Sequence, residues 1–227
     1  MTIESALSVF ATPHIIAGAV ALLFFWLAAI SRKGSLFHRR CGQIYLIAML
    51  IVILSAVPLS ALLFLRGQLF AGLFMAYLVV LVSLTCRNSW RAVTFKRDFS
   101  RYAGAELKML ATATGLAGLL VVGAGLKFTF PILIGFGAVG IILAWSSFRL
   151  VRNGPADGRW WLREHFGAMI GNGVATHIAF LQIGLQRALP ALDLGMLQNL
   201  AWFGPLAVAA IAGSWLSRRY GRPAGIQ

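Results

Sequence analysis

Acidic side chains are nearly missing from this chain. Only Glu4, Asp98, Glu106, Asp157, Glu164 and Asp193 occur in 227 residues. None lies in the middle of a long apolar run, where an ion-coupled pump would hold a carboxylate. Charged residues of both signs make up 11%, against about 25% in a soluble domain. That deficit excludes an ordinary soluble fold. Cysteine is also scarce. Cys41 and Cys86 make no CxxC, haem-attachment or zinc spacing and read as packing residues at reduced, cytoplasmic helix ends. No HExxH, P-loop or GxSxG elbow occurs, so the common metalloprotease, nucleotide and esterase chemistries lack their residues. Pro58 and Pro205 are the only mid-span prolines, and they do not mark matching positions of two halves, as the broken helices of many transporters would.

What the chain has is apolar length. Hydrophobic residues make up 59%, and the stretches Ile15–Ile30 and Ile44–Leu65 carry no charge. About 20 such residues cross a bilayer core of roughly 30 Å. In lipid the backbone must satisfy its own polar groups, so these runs are helices. The alternating pattern of a membrane barrel is absent. The expected fold is an all-α, polytopic transmembrane bundle, one integral membrane domain over 1–227. Its spans fall near 13–31, 42–65, 69–87, 107–127, 131–151, 162–187 and 195–216, about seven in all. Arg66–Gln68 makes a tight hairpin, Asn153–Gly158 a turn, and Pro131 suits a first helical turn. The polar stretch Arg87–Glu106 reads as an amphipathic surface segment.

Charge orients the bundle. All of the 20 basic residues except Arg66, Lys127 and Arg187 follow spans one, three, five and seven. Cytoplasmic loops collect Lys and Arg, so the expected amino terminus is outside and the carboxyl terminus cytoplasmic. The net charge of +14 then reads as a rim facing anionic membrane lipids. No soluble segment is long enough for a basic nucleic-acid-binding domain. Met1–Pro13 lacks a basic n-region and reads as retained.

Four histidines remain, His14, His38, His165 and His177. Imidazole is expensive in hydrocarbon and is the commonest metal ligand. His38, before Arg39 and Arg40, opens span two at the inner face. It reads as an axial ligand or as a helix cap, and Arg39 and Arg40 as contacts for lipid headgroups or other anions. His165 opens span six at the same depth. Met169, Asn172 and Thr176 follow it at helical spacing and form a polar face lining a bundle cavity or packing inside it. His177 lies about 18 Å further along the axis, toward the outer side. His14 opens span one at the outer interface. Each of these two reads as a second cofactor ligand or as an ordinary satisfied polar residue.

The motifs resemble those of a bacterial multi-span membrane protein family of unknown function. The residues that carry the resemblance are His14 with Ile15-Ile16-Ala17-Gly18, Lys33-Gly34, His38-Arg39 with Gly42 and Tyr45, and His165-Phe166-Gly167-Ala168-Met169-Ile170-Gly171 with Ala179-Phe180-Leu181. The resemblance covers roughly 13–185. It implies an integral protein of the bacterial inner membrane, raises the weight on His14, His38 and His165, and supplies no reaction. Two functional readings follow. The sharper is haem-b-binding transmembrane electron transfer, with His38 and His165 as an inner ligand pair, His14 and His177 as an outer pair, and a quinone or redox protein as partner. The other is a non-redox role, either a small-molecule or lipid-handling transporter or an accessory subunit.

Overall fold

The computed structural model describes residues 3–184 and 195–220; Arg187, Asp193 and Arg222, used above in the charge tally, lie outside them. Eight α-helices follow in chain order: α1 (Ile3–Ile30), α2 (Leu36–Leu65), α3 (Leu69–Thr94), the single turn α4 (Phe99–Tyr102), α5 (Ala105–Lys127), α6 (Pro131–Asn153), α7 (Trp160–Ala179) and α8 (Gly195–Tyr220). A π-helical turn, Phe180–Gly184, extends α7, and no strand occurs among the described residues. Five helices, α1, α2, α3, α5 and α6, are long and apolar enough to cross a membrane. α7 takes Arg163, Glu164 and His165 into its first turns. α8 holds a shorter apolar stretch, Gly204–Leu216.

Local chemistry sets the helix ends. Ser35 caps α2 by accepting from the His38 N–H at 3.1 Å, which satisfies one of the orphan donors of a first turn. Gly67, at φ 74°, breaks the chain between α2 and α3. Pro131 stands at the first turn of α6, and Gly154, at φ 73°, terminates that helix.

Three expected boundaries change, the first being that α2 begins at Leu36, not near residue 42. α1 begins at Ile3, not near residue 13, and runs through Pro13. Proline favours a helix start, but a membrane helix tolerates it internally because neighbouring groups take up the freed carbonyl. α3 likewise continues past Arg87 to Thr94, so with α4 and the start of α5 most of the expected surface segment is helix.

The hairpins sort to two ends. Arg66 forms an ion pair with Glu4, and the Phe70 ring meets those of Phe128 and Phe130 at 4.8 and 5.0 Å. These contacts gather the start of α1 and the α2–α3 and α5–α6 turns at one end. At the other, Arg91 pairs with Glu106 at 3.0 Å and Phe99 packs edge-on against Trp160 at 5.2 Å. Of the described basic residues, only Arg66 and Lys127 are at the first end; the opposite one is the basic end.

α3 is the central helix and touches α2, α5 and α7. α5 and α6 form the tightest hairpin. A Cβ built on Gly118 would stand 2.7 Å from the Gly137 carbonyl, and one on Gly137 at 2.7 Å from that of Gly118. Small residues let backbones approach this way where no hydrophobic drive separates protein from lipid.

Candidate functional site: the histidines at the basic end

α7 positions the site. It lies along α3 first and then crosses toward α2 and α1. The successive contacts are His165 Nδ1 to the Ser89 carbonyl at 2.8 Å, the Thr85 hydroxyl to Asn172 Oδ1, Thr176 Oγ1 to Met49 Sδ at 3.9 Å, and His177 to Trp26. The expected polar face of α7 therefore points into the bundle. Asn172 and Thr176 are buried and packed between helices, and Met169 packs on the core around Tyr45 and Met49.

His38, in the first turn of α2, and His165, in the first turns of α7, both lie at the basic end; His165 is held by α3 through the Ser89 carbonyl. His38 Nδ1 lies 3.0 Å from the Ala28 carbonyl at the end of α1. A carbonyl only accepts, so Nδ1 carries the proton in both rings and Nε2 keeps its lone pair. No described residue hydrogen-bonds either Nε2. One turn after His38 on the same face, a Cβ at Gly42 would meet nothing within 4 Å.

His14 is anchored in a similar way. Its Nδ1 stands 3.1 Å from the Val52 carbonyl and 3.0 Å from Ser55 Oγ. Because α1 begins at Ile3, His14 does not open the helix but sits about three turns inside it, against the middle of α2. His177 also differs from expectation. Its Nδ1 donates to the Gly173 carbonyl at 2.7 Å and its Nε2 accepts from Trp26 Nε1 at 2.8 Å. Both nitrogens are occupied, and Phe25 and Trp26 pack edge-on against the ring at 5.5 and 5.4 Å. Trp26 is one turn from the basic end of α1, so His177 is not near the opposite face. The oblique course of α7 is the reason. Twelve residues separate His14 from Trp26, about 18 Å along α1, and the structure does not bring His14 and His177 together.

Sequence reasoning missed a charged cluster beneath α4. The Tyr102 hydroxyl is 2.8 Å from Glu164 Oε2. The Arg87 guanidinium lies 4.8 Å over the Tyr102 ring, donates to the Tyr102 carbonyl, and faces Glu106 at 3.5 Å. Tyr102 is fully buried. Its burial and its position beside Glu164 both raise the phenol's pKa, which keeps it a proton donor. The one available signal was a carboxylate, Glu164, directly before a histidine at a helix start.

The side chains of Arg39 and Arg40 are exposed and make no ion pair or hydrogen bond among the described residues. No group of three or more His, Cys, Asp or Glu side chains there is arranged to hold a metal ion. What the site offers is two imidazoles on separate helices, each with Nδ1 turned to a main-chain carbonyl. A scan of family models, a search of curated proteins and a search of solved structures each find no match for the chain.

Proposed function

We propose that this chain is a seven-span protein of the bacterial inner membrane that carries electrons through haem b held by His38 and His165. In this reading α7 and α8 complete the bundle, the basic end faces the cytoplasm, and the chain belongs to the multi-span family its motifs resemble. The observation that carries the proposal is the matched anchoring of the two rings. Each donates Nδ1–H to a main-chain carbonyl, Ala28 or Ser89, and each leaves Nε2 without a partner among the described residues. Such a bond fixes the tautomer, sets the ring plane and raises the basicity of the other nitrogen. The open space beside Gly42 suits the approach of a flat group to the His38 face. Haem, when bound, supplies a one-electron couple. The protein sets its depth and ligands, and a membrane quinone or a redox protein exchanges the electron.

Protein purified from haem-replete cells should show a Soret band and a pyridine adduct spectrum of haem b. His165→Ala should lose the band while inserting normally. Colourless, well-folded wild-type protein without iron would overturn the proposal. It would favour the non-redox reading, a lipid-handling or accessory role centred on Arg39 and Arg40.

A further inference from the structure

A groove of about 360 Å³ opens on the outer face of the α2–α3 pair, lined by Gln43, Leu46, Ile47 and Leu50 of α2 and by Trp90 of α3. We infer that this groove, together with Arg39 and Arg40, is a binding site for one anionic phospholipid. The argument is positional. Arg39, Gln43, Leu46 and Leu50 are spaced i, i+4, i+7 and i+11, so they lie on one face of α2. From the basic end inward, that face presents a cation, then an amide, then hydrocarbon. Gln43 to Leu50 covers about 10 Å of helix axis. This is the order of groups in a phospholipid: phosphate, glycerol ester, acyl chain. The guanidinium groups of Arg39 and Arg40 have no partner among the described residues, whereas Arg91, next to Trp90, is already paired with Glu106. The free cations at the mouth of the groove therefore select a negative headgroup. The Trp90 side, 46% exposed, supplies an amphipathic ring at the depth where the ester groups lie. A quinone would fill the apolar part but would leave both guanidinium groups without an anion.

The test uses the full chain reconstituted in phosphatidylcholine vesicles, with a minor fraction of lipid carrying brominated acyl chains. Bromine quenches nearby tryptophan fluorescence. Brominated phosphatidylglycerol should quench more than brominated phosphatidylcholine at equal fraction. That excess should fall to the phosphatidylcholine level in Trp90→Phe and in Arg39→Gln/Arg40→Gln, and survive in Arg39→Lys/Arg40→Lys. Leu50→Phe, which fills the groove and keeps both arginines, should also reduce it, and serves if the double glutamine variant fails to insert. No excess for phosphatidylglycerol, or an excess unchanged in Arg39→Gln/Arg40→Gln or Leu50→Phe, would overturn the site. So would relief of the excess by added quinone but not by unbrominated phosphatidylglycerol, which would assign the groove to a quinone. The haem proposal stands or falls on the Soret band and is not touched by these outcomes.

Discussion

The indole of Trp26 donates to Nε2 of His177 at 2.8 Å, while Nδ1 of the same ring is held by the Gly173 carbonyl. The ring bridges α1 and α7 and has no lone pair left for a metal. His177→Phe should therefore leave any haem spectrum unchanged and lower stability by about 1 kcal/mol, the net worth of a typical hydrogen bond. Absorption spectra and thermal melts in detergent, compared with His165→Ala, separate the two roles. Loss of the Soret band in His177→Phe would place this ring among the ligands.

The α5–α6 contact predicts a sharp contrast between glycines. Gly137→Val has no room against the Gly118 carbonyl and Val122, whereas a Cβ at Gly135 would meet nothing within 4 Å. Gly137→Val should destabilise by about 1–3 kcal/mol through overpacking. Gly135→Ala should be neutral or slightly stabilising, since alanine is the better helix former. Chemical unfolding in mild detergent would show equal effects if the helices were not in contact.

Tyr102→Phe removes the hydroxyl that meets Glu164 and leaves the ring that Arg87 covers. Loss of that bond should cost about 1–3 kcal/mol and loosen α4 first. Limited proteolysis between α3 and α5 should then cut faster than in wild type, while the rest of the bundle holds.

Asp157 gives an acid-side test. Its carboxylate accepts from Arg163 at 2.9 Å and from the Arg159 N–H at 2.8 Å, and these bonds, Arg163's foremost, lower its pKa. A depressed folded value means the contribution is fully present above the ordinary aspartate range, about 3.9, and is lost as pH falls through the folded value. Asp157→Asn should flatten stability against pH in that acid window and leave the shape of the profile near neutral pH unchanged. An identical acid limb in both proteins would show that the pair contributes nothing.

Topology is testable at described turns. A reporter active only outside the cytoplasm should work when inserted at Phe128–Thr129 and fail between Gly154 and Gly158. The reverse pattern would invert the orientation drawn from the basic end.

Most of the bundle was legible because apolar length and basic loops are properties of composition along the chain. The α2–α3 hairpin at Gly67 and the start of α6 at Pro131 fall where the residues indicate. α1 was cut short because Pro13 is equally good as a start signal and as an interior residue of a membrane helix. The site was half legible. His38 and His165 share an end because each begins a helix there. The course of α7 across the bundle is a packing outcome, and no spacing in one chain reports which neighbour a helix meets. Hence Trp26 as the partner of His177, and Tyr102 as that of Glu164, could not be read in advance.

The Ala28 carbonyl receives Ser31 Oγ at 2.9 Å, Lys33 Nζ at 3.1 Å and His38 Nδ1 at 3.0 Å. The last turn of α1 and the first turn of α2 are thereby riveted into a single corner. A displacement of the α1 end would carry the His38 ring with it, while the His165 ring is held separately by the Ser89 carbonyl of α3. The place of the His38 ring is thus set by the end of α1, and that of the His165 ring by α3.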